Sequence, residues 1–186
     1  MGFFATITSV DMSILEWIRE NLWCGFLDTV MPAITFLGDA GWFWIVIAVV
    51  MLFFAKTRKT GLMMGAAMIF GLIICNLILK PTVARIRPYE LTGVMPIIGL
   101  QSDFSFPSGH TAASFEAATV LMIRDKRFGI PALVLASVIA FSRMYLYVHY
   151  PTDILGGIVV GTLCGVLGWF VVGTIWKKVT EKKELN

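Results

Sequence analysis

Charge is scarce in this sequence. Only 15% of its 186 residues are Asp, Glu, Lys or Arg, while 58% are hydrophobic and the mean hydropathy is +0.82. A soluble domain carries about a quarter charged residues and about half apolar ones, so this composition excludes an ordinary water-soluble globule and points to a bilayer. The formal net charge of +3 is too mild to mark a nucleic-acid surface. Cysteine is limited to Cys24, Cys75 and Cys164, each inside an apolar run. That excludes a disulfide framework and reads all three as small buried hydrophobes. The first residues, MGFFATITSVDMS, lack a basic segment and a small-residue cleavage site, so no removable signal peptide is expected. The length suits a single domain over 1–186.

What the chain has instead is a series of apolar stretches. Five read plainly, at about Gly41–Ala55, Gly61–Leu79, Thr111–Ile123, Phe128–Tyr147 and Ile154–Trp176. A bilayer crossing takes roughly 20 apolar residues; the first and third fall short and are extended into their flanks. A weaker sixth stretch, about Leu22–Gly38, is interrupted by Asp28 and Pro32. Before it, Ile14, Leu15, Ile18, Leu22 and Phe26 recur at three- and four-residue spacing. That is the pattern of an amphipathic helix on the membrane surface, or of the start of the first span. The expected fold is all-α: a polytopic membrane protein of six transmembrane helices with an amphipathic N-terminal segment.

Basic residues set the orientation. The linkers Lys56–Lys59 (KTRK) and Arg124–Arg127 (RDKR) are basic, as is the tail with Lys177, Lys178, Lys182 and Lys183. The positive-inside rule places all three in the cytoplasm, and six spans then put both termini there. Only Lys80, Arg85, Arg87 and Arg143 are left on the outer side, against the rule. Simple threading brings four helix ends to that outer face, near Lys80, Ser108, Arg143–His149 and Asp153. Both histidines of the chain, His110 and His149, lie among them. The longest non-spanning segment, Pro81–Phe106, is expected to fold over this face or lie along the membrane surface.

These residues have a chemistry in common. Lys80, Arg87 and Arg143 are three permanent cations, costly to hold together unless an anion joins them. Arginine's planar fork suits phosphate oxygens, and lysine adds a point charge. Ser108-Gly109-His110 opens a helix whose free backbone N–H groups suit an anion, with Gly109 allowing close approach. His149 and Asp153 are four residues apart, within reach across one turn, so the carboxylate can fix the imidazole tautomer and raise its basicity. One histidine can thus serve as nucleophile and the other as acid and base. Metal binding is the competing use of two histidines and an aspartate, but a surplus of cations on the same face would repel a divalent ion.

The three groups resemble the signature of the type 2 phosphatidic acid phosphatase family. Its first part is a Lys, six residues, then Arg-Pro, here Lys80 to Arg87-Pro88. The second is Pro107-Ser108-Gly109-His110. The third is Ser142-Arg143, five residues, His149, three residues, Asp153. All match in order, across 80–153, and the span layout extends the resemblance over nearly the whole chain. The resemblance implies a metal-independent membrane lipid phosphatase without a cofactor. His149 would attack phosphorus and form a phosphohistidine, Asp153 would orient it, and His110 would protonate the leaving oxygen and then activate water. Lys80, Arg87, Arg143, Ser108 and the Gly109 amide would hold the phosphoryl oxygens. The small size and simple loops look like the bacterial branch that acts on undecaprenyl diphosphate or phosphatidylglycerophosphate at the outer face of the cytoplasmic membrane, so the expected substrate is undecaprenyl diphosphate or a lipid of the phosphatidic acid or phosphatidylglycerophosphate type. The expected partners are therefore a lipid phosphate and the bilayer.

Plainer readings stand beside these. The cations could be interfacial anchors on lipid headgroups. Arg85, outside the signature, reads either as an anchor or as a substrate-recognition residue. Gly157, Gly161 and Gly165 recur every four residues and read as close helix packing. Trp42–Trp44 reads as an interface belt. Glu116 and Asp28 are carboxylates within apolar stretches, where such groups are expensive; function and structural pairing are both open. Other functions are a lipid phosphotransferase using the same histidine, a vanadium haloperoxidase, which the apolar composition disfavours, and a non-catalytic lipid-phosphate transporter.

Overall fold

The computed structural model describes residues 3–184, and every regular element among them is helical. Met1 and Gly2, and the side chain of Lys183 in the basic tail, lie outside the described residues. The N-terminal helix α1, Phe3–Leu22, is amphipathic as expected. Its Asp11, Leu15 and Ile18 are buried, while Val10, Ile14 and Trp17 are exposed on the adjacent strip.

Helix α2, Gly25–Phe36, carries the Asp28 and Pro32 that interrupt the apolar stretch and runs through both. The Tyr145 hydroxyl donates to Asp28 at 2.6 Å, which satisfies the carboxylate. The break comes later, at a 3-10 turn, Asp39–Gly41. Ala40 (φ 49°) and Gly41 (φ 68°) are both left-handed there, a conformation that cannot continue a right-handed helix. Beyond the turn, α3, Trp42–Phe53, leaves at a bend of 40° to α2.

The next crossing is α4, Arg58–Gly71, continued by a π-helical stretch, Leu72–Leu79, and the short α5, Lys80–Val83. A five-residue helix α6, Pro88–Thr92, follows. Then come α7, Gly109–Arg124, α8, Lys126–Tyr145, and α9, Pro151–Glu184. By length and composition, three stretches can cross a membrane: Arg58–Thr92, Lys126–Tyr145 and Pro151–Lys182. The bent α2–α3 pair makes a fourth if taken as one broken span. The six spans expected from the sequence are therefore not met on those criteria. The two N-terminal stretches are arms of one bent pair, and α7 has 16 residues against the roughly 20 of a full crossing.

The glycine stripe sets how α7 lies on α9. A Cβ on Gly157 would fall 2.8 Å from the Ser108 carbonyl oxygen, and one on Gly161 would fall 2.4 Å from that of Ala112. One on Gly165 would fall 2.9 Å from that of Glu116. Backbone therefore packs on backbone, which side chains would prevent. Two sequence readings are corrected here. Trp44 is no belt residue: it is 1% exposed, and its indole N–H donates to Ser114 Oγ at 3.0 Å. Cys24 is exposed, whereas Cys75 and Cys164 are buried as expected, and all three are free thiols.

Candidate active site

The elements converge at one end of the bundle. Lys80 ends the π-helical stretch, Arg87 precedes α6, Ser108 caps α7, Arg143 lies in the last turn of α8, and Asp153 lies in the first turn of α9. His149 sits in the connection between α8 and α9, where Tyr147 adopts φ 62°. All six are buried, at 8% exposure or less. The segment expected to fold over this face does so. Ser105 N–H donates to the Arg85 carbonyl at 2.8 Å, and the Ser105 hydroxyl donates to Asp153 Oδ2.

The His149 ring is fixed from both sides. Arg87 Nη1 lies 3.3 Å from Nε2 and also donates to the Val148 carbonyl at 2.6 Å. A guanidinium only donates. Nε2 therefore presents a lone pair, and the neutral ring carries its proton on Nδ1. Asp153 Oδ2 stands 3.4 Å from Nδ1, a close charge contact without hydrogen-bond alignment. That oxygen also accepts from the Tyr150 N–H at 2.9 Å. Burial pushes the His149 pKa down to about 3, with Asp153 opposing and Arg87 and Arg143 reinforcing the shift. Burial among cations thus favours the neutral imidazole, with its Nε2 lone pair turned toward Arg87.

His110 has a carboxylate of its own. Asp39, from the turn between α2 and α3, lies 2.6 Å from His110 Nε2. The sequence reading did not single out Asp39. Its signal is a carboxylate flanked by Gly38 and Gly41 at a break between apolar stretches. The close approach depends on Gly38, where a Cβ would fall 2.8 Å from the His110 ring.

The cations are unevenly partnered. Lys80 and Arg87 both pair with Asp103, and Arg87 also donates from Nε to the Asp103 carbonyl at 2.9 Å. Burial opposes ionisation of Asp103, but Lys80 and Arg87 outweigh it and hold the carboxyl at a pKa of about 2. Arg143 donates to Thr35 Oγ1 at 2.7 Å and Gln101 Oε1 at 3.4 Å, its Nε has no partner, and it has no ion pair among the described residues. Ser108 Oγ caps α7 by accepting from the Thr111 N–H at 3.4 Å. A Cβ at Gly109 would sit 3.7 Å from Lys80 Nζ, so the first amides of α7 open beside that ammonium. Arg85, left as anchor or recognition residue, is neither free nor lipid-facing: it is ion-paired with Asp11 and Asp153.

A groove of about 910 Å³ leads away from this end. Its mouth includes Lys80, Asp103, Gly109 and His110, and its far end Val172, Trp176 and Val179. The walls between are apolar, with Ile45, Val49, Leu62, Ile69 and Leu72, interrupted by Glu116. Glu116 packs against Gly71, where a Cβ would fall 1.8 Å from its Oε1. Among the described residues, no group of three or more His, Cys, Asp or Glu is placed to hold a metal ion.

The signature, its order and this geometry agree with the comparisons. The model of the PAP2 superfamily matches residues 60–177. The chain belongs to the PAP2 superfamily. Curated PAP2 relatives include the undecaprenyl-diphosphatase BcrC of Bacillus subtilis, 30% identical over 76% of this chain and 72% of the relative. Phosphatidylglycerophosphatase B of the same organism is 33% identical over 74% of this chain and 71% of the relative. Among solved PAP2 structures, the transmembrane phosphatidylglycerolphosphate phosphatase of B. subtilis superposes with a TM-score of 0.73 at 30% identity, covering 94% of this chain and 88% of that one. A bacterial vanadium-dependent iodoperoxidase shares the fold alone, with a TM-score of 0.68 at 21% identity over 86% of this chain and 48% of the other.

Proposed function

We propose that this chain is a metal-independent membrane phosphatase that hydrolyses a lipid phosphomonoester or diphosphate through a phosphohistidine on His149. The observation that carries the reading is the Arg87–His149–Asp153 arrangement. Arg87 fixes the tautomer with the lone pair on Nε2, and the same atom faces a cation cluster suited to a phosphoryl group. In-line attack by Nε2 breaks the bond from phosphorus to the leaving oxygen. His110, held by Asp39, gives that oxygen a proton. It then takes one from the water that cleaves the phosphorus–nitrogen bond. Lys80, Arg87, Arg143, Ser108 and the Gly109 amide hold the other phosphoryl oxygens and take up charge as the transition state forms.

The groove supports a lipid substrate. It joins the site to apolar walls that reach the opposite end of the bundle, so a substrate can arrive within the membrane with its chain along α3, α4 and α9. The apolar walls suit the chain of undecaprenyl diphosphate or of a phosphatidic acid or phosphatidylglycerophosphate type of lipid. A phosphotransferase would use the same first step and differ only in the acceptor.

For orientation, the basic linkers and tail support a cytoplasmic position for the opposite end of the bundle and an extracytoplasmic one for the site, in the cytoplasmic membrane. We read five crossings instead of six: the broken α2–α3 pair, α4 with its π-helical continuation, α7, α8 and α9. Helix α1 then lies on the site face, where Asp11 meets Arg85 and Thr152, and only the C-terminal tail is cytoplasmic. The test is phosphate release by purified protein from a panel of lipid phosphates with EDTA present. Loss of activity with chelator and its return with magnesium or zinc would sink the mechanism. Labelled phosphate recovered on another lipid would favour the transferase.

A further inference from the structure

Arg85 lies outside the signature yet touches the catalytic pair. One terminal nitrogen donates to Asp153 Oδ1 and to the Thr152 hydroxyl, each at 2.7 Å. The other donates to Asp11 Oδ2 at 2.7 Å. Its guanidinium lies 3.8 Å over the Tyr150 ring. Asp11 accepts in turn from the Thr152 N–H at 3.1 Å and from the Thr152 hydroxyl, and it is 1% exposed. A carboxylate from α1 is thus buried against the first turn of α9, the turn that carries Asp153.

This network bears on how Asp153 works. Its carboxylate is wholly buried. Oδ2 serves Ser105, the Tyr150 N–H and His149, and Arg85 is the partner of Oδ1. Without a countercharge, a buried carboxylate takes up a proton or turns away, and either weakens its charge contact with His149 Nδ1. With Arg85 directed at Asp153 alone, the cation would draw off the charge that makes Nε2 basic. Asp11 engages the second arm of the guanidinium, so its charge is shared. We infer that Arg85 and Asp11 are positioning residues for the reaction. They fix the plane and charge of Asp153 and, through it, His149, so that the seating of α1 on the site face sets the rate of phosphoryl transfer. The inference rests on the phosphatase reading above. The other groups facing the pair are Arg87 and Arg143 from the ends of α6 and α8, His110 from α7, and Tyr150; none of these changes in the variants below.

The experiment compares Arg85→Gln, Arg85→Lys, Asp11→Asn and the Arg85→Gln/Asp11→Asn double variant of the full chain in detergent. Steady-state and single-turnover rates are followed across about pH 2.5 to 9 with a labelled lipid phosphate. Arg85→Gln should lower kcat roughly 10- to 100-fold with KM within about threefold. It should also move the acid limb to higher pH, because His149 keeps its proton longer once a cation is gone. Arg85→Lys should return the limb and only part of kcat, since lysine keeps the charge but loses the fork. Asp11→Asn should lower kcat without raising the limb, and the double variant should be no slower than Arg85→Gln.

An unmoved limb with kcat lost in step with melting temperature would reduce Arg85 to a structural brace. A raised KM at constant kcat would make it a substrate contact. Additive losses in the double variant would break the relay. Should Arg85→Gln not fold, Asp11→Asn decides: lower kcat at unchanged KM and melting temperature supports the inference, and wild-type kcat overturns it. Turnover by the wild type is a separate arm. Its absence sinks the phosphatase reading, whereas the pattern among active variants judges the relay.

Discussion

Replacing Asp103 by asparagine removes one negative charge from the mouth of the cation cluster and leaves its shape almost unchanged. Asp103 now occupies Lys80 and Arg87 together, two of the three cations assigned to the phosphate. A phosphoryl group must displace it. Hydrogen bonds to charged groups are worth about 1.5–3 kcal/mol when buried, and exposed ion pairs about 0.2–1 kcal/mol. The Asp103 side chain is 50% exposed, so about 1 kcal/mol for each of its two pairs is a screened value. The amide keeps a weaker contact, which leaves about 1–1.5 kcal/mol to be gained by the incoming anion, a factor of roughly 5 to 12. Orthovanadate, a stable stand-in for the phosphoryl group, should therefore inhibit Asp103→Asn at roughly five- to twelvefold lower concentration than wild type.

The pH dependence of that ratio is also fixed. Asp103 has a depressed pKa, about 2 in the folded chain against the ordinary 3.8. Its stabilising pairs are complete above the ordinary value and are lost only as pH falls through about 2. The carboxylate competes equally at every pH an assay can use, so the ratio should be flat from about pH 5 to 8. Unchanged or weaker vanadate inhibition in Asp103→Asn would refute the reasoning and make Asp103 part of the binding site. A ratio that collapses below about pH 6 would show that the salt bridge, and with it the depressed pKa, is absent.

Further outcomes follow from the same geometry. His149→Ala should abolish turnover of every substrate, whereas His110→Ala should retain its first step with p-nitrophenyl phosphate, whose leaving group needs no proton. General acid catalysis is worth roughly 10²–10⁴ in rate, so rapid quench should trap phosphohistidine in His110→Ala, and trapping in His149→Ala would reverse the roles. In a Cys24→Ser background, cysteines at Glu16 and Asp103 should label from outside intact cells while one at Lys59 is protected. Protection of Glu16 would restore the sixth crossing. Gly161→Ala would press a Cβ to 2.4 Å from the Ala112 carbonyl oxygen, an overpacking worth about 1–3 kcal/mol, read as a lower melting temperature in detergent.

The sequence made the site legible because its parts break a rule. Cations at the helix ends away from the basic linkers, and both histidines among them, are anomalies in a chain with little charge, and the structure brings them together. Glycine spacing likewise announced close packing of α9, whose partner, α7, the structure supplies. The partners that complete the site were harder to read. Asp103 and Asp39 lie in turns, where no periodicity marks a side chain as inward-facing. Asp11 did carry a signal, since it sits four and seven residues before Leu15 and Ile18 on the buried strip of α1, a costly place for a carboxylate without a partner. Hydropathy registers two apolar stretches at α2 and α3 whether they make two crossings or one bent one. The turn that distinguishes these cases depends on left-handed Ala40 and Gly41, and alanine gives no notice of that conformation.

The balance of charge at the site shows where the anion belongs. Arg85 is matched by Asp11 and Asp153, and Lys80 and Arg87 share Asp103. Arg143 has only a hydroxyl, an amide oxygen and an unpartnered Nε, although it is 1% exposed. A buried guanidinium so poorly met costs several kcal/mol, and a single carboxylate cannot reach Arg143 while still bridging Lys80 and Arg87. A tetrahedral dianion can, because its oxygens point in different directions. It releases Asp103 to solvent, takes over Lys80 and Arg87, and supplies Arg143 with the charge it lacks. On the proposed mechanism the same placement would set phosphorus before His149 Nε2, whose lone pair is turned toward Arg87. The cation left without a carboxylate, Arg143, is thus the one whose burial a phosphoryl group would offset, beside the proposed nucleophile.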